Sequence, residues 1–536
     1  MTYWTKVLNG RINRRRAMGL VGGSAAAAAF LAACGGDDDE PASGGSSGGG
    51  SSDKIKRGGH LRLGLPNDIT VVDPHISAFS NQPTLYPLME GLIDYDDKLE
   101  VQPLLATEWE LSDGGATVRL KLREGVTFHS GREFTSEDVA WNMARVRTPS
   151  LPYPQYKLMA DWFPTVETPD KHTIVLKGAS PRASTFDFLF RLGIADPVHM
   201  EGPHPESAIV GTGPWKWVEW KQGISFEVAK NPDHWGKDGP YLDGYTWMVA
   251  LDDQTLQAQF DAGDLDYIAD ISIPGFARYR DDSDVQALIH PFAGRFNMHG
   301  FNCTDKPFND ARVRRAFNWA FDRQRFTDLV LQGTEEPASL PWPEQSPAYD
   351  AKQNQRYKFD LDEASKLLRA AGATDLSTTL YTRIGQPDNI SMAPIWQRDL
   401  ASIGVKAKIE NNDAAAFTSI LRGRDFHSVF LAQNSNASLG SPATLFAFGT
   451  QNWSGHGDSN TGYLNPQLEE LVAKALVELD TKKARALYLE WNELILQESF
   501  QIVPSMASPR SAAKSNLMNI GLNPNGYFYF TKSWLA

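Results

Sequence analysis

A lone cysteine, Cys34, divides the chain into two stretches that obey different rules. Ahead of it lie a basic segment, with the run Asn13-Arg14-Arg15-Arg16, and an alanine-rich apolar stretch over 17–33. Behind it, residues 35–53 are rich in Gly, Ser and Asp, and hold too few apolar side chains to offset the entropy of ordering them. A packed body can begin only near Gly58. That body has roughly 480 residues, more than one hydrophobic core usually serves, so two or three domains are expected.

The basic segment, the apolar run and the small residues before the cysteine form an export signal over 1–33. The run is too short and too weakly hydrophobic for a comfortable transmembrane span. Leu31-Ala32-Ala33-Cys34-Gly35 resembles a bacterial lipobox. That resemblance implies cleavage before Cys34, lipidation of its thiol, and residues 34–57 as a flexible tether. The mature protein would then sit in the periplasm or at the cell-envelope exterior, anchored to the membrane without spanning it. The arginine run resembles a twin-arginine signal, with Ala17 where a bulky apolar residue is usual. An ordinary general-secretion signal is the alternative.

The formal net charge is −13, and five of the bases fall within the export signal, so the mature chain is more acidic still. This argues against nucleic acid as a partner, because phosphate binding needs a basic face. Two cysteines make neither a disulfide scaffold nor a cysteine-based zinc site, and Cys303 reads as a small buried hydrophobe. His199 and His204 are five apart with prolines flanking His204, unlike the i,i+4 zinc pair. No Gly-x-Ser-x-Gly elbow and no His-Glu-x-x-His motif occurs; the matches within Gly44-Gly45-Ser46-Ser47-Gly48-Gly49 fall in the Gly/Ser-rich tether, not between a strand and a helix. No catalytic residue, cofactor or metal is expected. Fifteen Trp and 27 Phe exceed what packing alone demands, which leaves some to line a cavity.

Strand and helix patterns are mixed throughout the body. His60 to Leu65 alternates, as does Val118 to Leu122. Thr135, with Asp138 three residues on, predicts a helix start with Val139, Met143 and Val146 on one face. Asp310 precedes an apolar stripe of Val313, Ala316, Phe317, Ala320 and Phe321. Asp360 and Glu363 resemble a capping box ahead of Leu361, Ala364, Leu367 and Leu368, with Gly372 as the stop. Met392, Ile395, Trp396 and Leu400 form another stripe, ended by Gly404, and a strand comes next over Val405 to Ile409. Asn465-Pro466 and Thr481 open two more helices. Such mixing predicts an α/β architecture with open sheets.

The ordered blocks resemble the family 5 extracellular solute-binding proteins, the peptide, opine and nickel class of receptors for ATP-driven importers. The most specific block runs Leu122-Arg123-Glu124-Gly125-Val126-Thr127-Phe128-His129-Ser130-Gly131. Gly211-Thr212-Gly213-Pro214-Trp215, Lys230-Asn231-Pro232-Asp233-His234-Trp235 and Lys306-Pro307-Phe308-Asn309-Asp310 come after it in the family's order. The helix over Asp360 to Gly372 and the Gly404-Val405-Lys406 turn complete it. The resemblance implies a two-lobed periplasmic-binding-protein type II fold with an extra subdomain in lobe I. Lobe I would span 58–290, with the subdomain over about 92–205, lobe II would span 291–504, and 505–536 would return to lobe I. It also implies a monomer that shuts over a small ligand by hinge closure and delivers it to an ABC permease and ATPase complex. An exported hydrolase and a sensory or adaptor lipoprotein are the alternatives.

Arg383 stands where dipeptide-binding relatives place an arginine for the ligand carboxylate, and a guanidinium suits a bidentate bond there. Those relatives also use an aspartate of lobe II for the ligand's amine. The comparable stretch here, Leu431 to Gly440, contains no acid, which puts simple peptides in doubt. Gln433, Asn434 and Asn436 would offer neutral hydrogen bonds, unless they are merely turn residues. Phe79, Asn81 and Trp453 are further pocket residues by this reading, with core packing or a turn as the alternative. Thr212 and Gly213 would shape a turn, facing the cleft or purely structural. The ligand would be peptide-like, an opine or another carboxylate-bearing solute; a sugar-like one suits the aromatics better.

Overall fold

The computed structural model describes residues 55–69, 71–75, 85–96, 98–148, 151, 154–250, 252–290, 295–423, 426, 428–434, 442–444, 460–523 and 527–536. Cys34 lies outside them. The architecture is α/β, built on two large mixed sheets with separate cores.

The alternation at His60 makes the strand His60–Leu65, which sends Leu61 and Leu63 into the core. This strand is the centre of a seven-stranded sheet. On one side of it lie Gly244–Val249, Ser225–Lys230 and Trp215–Lys221; on the other lie Tyr267–Ile268, Arg510–Lys514 and Val285–Ile289. Its two immediate neighbours run parallel to it and the remaining pairs are antiparallel. Rings of Trp215, Tyr245, Trp247, Tyr267 and Phe530 meet edge-to-face above it. Each such aromatic, fully buried, contributes roughly 2–3 kcal/mol.

An additional layer is built before the sheet's second strand. It holds an antiparallel sheet of Ala106–Ser112, Thr117–Leu122, Thr173–Lys177 and Thr165–Asp170 in that spatial order. The helix Ser136–Arg145 packs near it. The Thr135 N–H donates to Asp138 Oδ2 at 2.7 Å, and Val139, Met143 and Val146 are all buried, as the stripe predicts. The core of this subdomain runs from Leu92 to Ile194 and takes in Ala443 and Leu479 from the second lobe.

The second sheet orders Glu336–Pro337, Ser505–Ala507, Arg295–Phe301, Val429–Asn434, Leu376–Arg383 and Val405–Asn412. Helices flank it where the sequence stripes place them: Ala311–Trp319, Leu361–Ala370, Pro387–Ser402, Pro466–Val477 and Thr481–Glu498. Asp310 accepts from the Arg312 N–H, and Val313, Ala316 and Phe317 are buried. At Asp360 only half of a capping box forms. Its carboxylate accepts from Glu363, but its own N–H goes to the Trp319 carbonyl and Glu363 pairs with Lys366. Gly404, at φ +84°, supplies the left-handed turn into Val405–Asn412.

The chain passes between the sheets twice. It leaves the first after Ile289 and joins the second at Arg295; it stays there through Ala507 and re-enters the first at Arg510. The lobes also meet through the subdomain. There the Ala183 N–H donates to the Leu476 carbonyl at 2.9 Å, and the Thr444 hydroxyl donates to buried Asp187, which also accepts from Tyr95 at 2.5 Å. Among the described residues, no helix is long and apolar enough to cross a membrane.

Candidate ligand groove between the lobes

A groove of about 690 Å³ opens where the two sheets face each other beside the crossing strands. One wall is Asp253 with Asp270–Pro274, and the other is Leu329, Val330 and residues 385–391. Asn297, Glu335 and Arg510 close its base.

Each of these groups is held by a local rule. Ser272 caps the helix Ile273–Tyr279 by accepting from Gly275, while Asp253 accepts from the Ser272 N–H at 3.1 Å and from Gln257 at 2.6 Å. On the opposite wall the Leu376–Arg383 strand ends, Gly385 turns at φ +93°, and Pro387 starts the next helix. Asp388 falls in that helix's first turn, where the helix dipole favours a carboxylate. Burial pushes the Asp388 carboxyl above the usual range, and Arg510 opposes the shift.

Glu335 is the most constrained group. Its side chain has no solvent exposure. Asn297 Nδ2 and Ser505 Oγ donate to Oε2 at 3.1 and 2.8 Å, and Arg510 Nη1 meets Oε1 at 3.2 Å. Burial pushes its carboxyl up to about 7 against the pull of Ser505 and Arg510. The groove therefore offers one guanidinium together with carboxyl groups, an arrangement able to hold a ligand that carries both signs of charge.

Arg383 ends its strand half-buried, two residues before the first groove residue of that wall, and does not itself line the groove. Gln433 and Asn434 pair in register with Asn297 and Phe296, so their backbone adjoins the groove. Phe79, Asn81, Asn436 and Trp453 lie outside the described residues.

Thr212 and Gly213 do not line the groove. Thr212 is buried and donates to Glu90 Oε2 at 2.8 Å; His234 and Trp235 meet the same carboxylate. The Gly213 carbonyl accepts from Asn231 at 3.0 Å and lies 3.0 Å from His129 Nε2. A Cβ on Gly213 would stand 2.5 Å from the Pro87 carbonyl oxygen, so only glycine allows this approach. The Gly-Thr-Gly, Phe-His-x-Gly and His-Trp blocks thus converge on one brace beneath the subdomain.

Sequence reasoning missed Asn297, Glu335, Asp388 and Arg510. Nothing local marks Glu335 or Arg510, which are 175 positions apart and meet only through the second crossing of the chain. Cys303 is free and largely buried, with its thiol pushed up to about 12, so it carries no thiolate near neutral pH. Among the described residues no group of three or more His, Cys, Asp or Glu is placed to hold a metal ion.

Comparison with known proteins agrees with this geometry. The family model for bacterial extracellular solute-binding proteins, family 5 Middle, matches residues 100–455. The glutathione-binding protein GsiB of Salmonella typhimurium is 28% identical over 482 residues, covering 87% of this chain and 92% of GsiB. Among solved structures, DppA of Helicobacter pylori in complex with the peptide STSA superposes with a TM-score of 0.76 at 22% identity, covering 90% of this chain and 98% of that one. NikZ of Campylobacter jejuni in complex with Ni(L-His) gives a TM-score of 0.75 at 19% identity, covering 87% and 97%. With the two lobes, the extra subdomain and the intervening groove, these matches make the chain a member of the family 5 extracellular solute-binding proteins, the solute receptors of ABC importers.

Proposed function

We propose that the solute is a small peptide-like zwitterion, held in the interlobe groove and passed on chemically unchanged. The observation that carries this reading is the mixed charge of the groove: the Arg510 guanidinium at its base, with Asp388 and Asp253 on opposing walls. A ligand amine has acids to meet even though the 431–440 stretch has none. Its carboxylate has Arg510 within the groove, and from the sequence reading Arg383 just outside the lining, with Gln433, Asn434, Asn436, Phe79, Asn81 and Trp453 as the remaining contacts proposed from sequence. Glutathione, named for GsiB, has this chemistry.

Closure over such a ligand needs differential affinity for the closed state, which contacts from both lobes supply. The receptor works without turnover, exported and tethered through a lipid on Cys34 as a monomer. Calorimetry with glutathione, di- and tripeptides, opines and nickel–histidine, together with mass spectrometry of any co-purified compound, tests the ligand class. Tight binding of a neutral sugar with none of the zwitterions would sink it. Labelled fatty acid incorporated by the wild type, and absent from Cys34→Ser, tests the anchor.

A further inference from the structure

A second cavity, of about 590 Å³, lies wholly within the first lobe. Its walls come from residues 86–90, 94, 104, 214, 234–238, 519–521 and 529–532, and none comes from the second lobe. It is therefore separate from the interlobe groove, and filling it requires no closure.

The strand Ile93–Tyr95 explains the cavity's charge. Ile93 and Tyr95 enter the subdomain core, so the alternation turns Asp94 to the opposite face, into the cavity. Asp94 Oδ1 accepts the Tyr95 N–H at 2.8 Å. Around it stand Glu90 and Asp96, both acids, and the phenols of Tyr86 and Tyr529. No cationic partner of Asp94 is found among the described residues. Burial, then those acids, pushes its carboxyl up to about 6, so it is ionised at neutral pH.

The other acids of the cavity are already matched. Glu90 is held by Thr212, His234 and Trp235. Asp238 is paired with exposed Lys532 at 2.7 Å and accepts from Tyr241. Lys237 is also exposed, at the rim. The Tyr86 hydroxyl is buried and has no hydrogen-bond partner. Arg123, which is not part of the lining, packs its guanidinium 3.9 Å from the Trp235 ring centroid. An unmatched carboxylate among aromatic rings, beside an unsatisfied phenol oxygen, is the chemistry that recognises an organic cation.

We propose that this cavity is a second ligand site, which takes a small organic ammonium with its nitrogen against Asp94 and its carbon skeleton against Tyr86, Trp235 and Tyr529. The Tyr86 oxygen accepts one ammonium N–H. A bound ammonium bridges Tyr86 and Asp94 to Tyr529, so it stiffens the first lobe without contacting the transported solute.

The test uses the full chain at pH 7.5, with n-butylammonium as probe and 1-butanol as its neutral counterpart. Calorimetry is expected to show saturable binding of the amine, at least tenfold weaker in Asp94→Asn, with no saturable binding of the alcohol. Hydrogen exchange of the wild type is expected to gain amine-dependent protection in 86–104 and 519–532. Absence of saturable amine binding, or equal binding by Asp94→Asn, overturns the proposal. Protection at 385–391 instead overturns it too, because it places the amine in the groove. If Asp94→Asn fails to fold, wild-type exchange and the Tyr86→Phe affinity decide the matter. Failure here leaves the peptide-ligand reading untouched, since that rests on the other cavity.

Discussion

The Arg510 guanidinium meets the Glu335 carboxylate at 3.2 Å, joining a strand of the first sheet to the loop that leads into the second. Both groups are largely withdrawn from water, so removing one leaves the other uncompensated. Arg510→Ala is expected to cost about 3 kcal/mol in urea unfolding. A loss below about 1 kcal/mol, the scale of an exposed pair, would mean that the backbone alone holds the hinge.

The same pair makes stability depend on pH. The Glu335 carboxyl is raised from 4.5 to about 7, so between those values the folded state binds more protons than the unfolded one. Stability from this group is full below pH 4.5 and declines as pH climbs through 7. Glu335→Gln removes that dependence, so the wild-type minus variant difference between pH 5 and 8 is expected to change by on the order of 2–3 kcal/mol. Parallel denaturation curves for the two proteins across this range would contradict it.

At the contact between the subdomain and the second lobe, the Thr444 hydroxyl reaches Asp187. Thr444→Val keeps the shape and deletes the hydrogen bond, which is worth on the order of 1–2 kcal/mol. The bond spans the lobes, so the loss falls on the shut form. Solute affinity is expected to fall by roughly tenfold or more, with the unliganded molecule less compact in solution scattering. Unchanged affinity and dimensions would show that this contact carries no closure energy.

Gly213→Ala forces a methyl against the Pro87 and Leu88 carbonyls. Overpacking against backbone is expected to cost about 2 kcal/mol, read as a lowered thermal midpoint. A neutral result would mean that the residues before Pro87 can retreat.

For the ligand, Arg383→Ala is expected to weaken an acidic solute by at least about 1.5 kcal/mol, the range of a charged hydrogen bond. Calorimetry showing the same affinity would take Arg383 out of the site.

How much of the molecule is legible in its sequence depends on how far apart the cooperating residues lie. Periodicity locates the helices with a long apolar stripe, because Val313 and Phe317 or Leu468 and Leu471 are neighbours on one turn, but it passes over shorter ones such as Asp253–Asp261, Ile273–Tyr279 and Ala414–Gly423. The Gly211–Trp215 block can be recognised but not interpreted, since its partner Glu90 is 122 positions away from Thr212. The groove is the least legible part. Asn297, Asp388 and Arg510 come from three separate elements and Glu335 from a loop, and each one alone has the sequence context of an ordinary surface residue.

The late return of the chain has a consequence for biosynthesis. Arg510–Lys514 lies between Tyr267–Ile268 and Val285–Ile289, so a nascent chain that has not yet emitted Arg510 has a slot in its first sheet instead of a strand. The second lobe, almost complete by Phe500, can condense while the first still waits. The half of the molecule made first is thus the half whose sheet closes last.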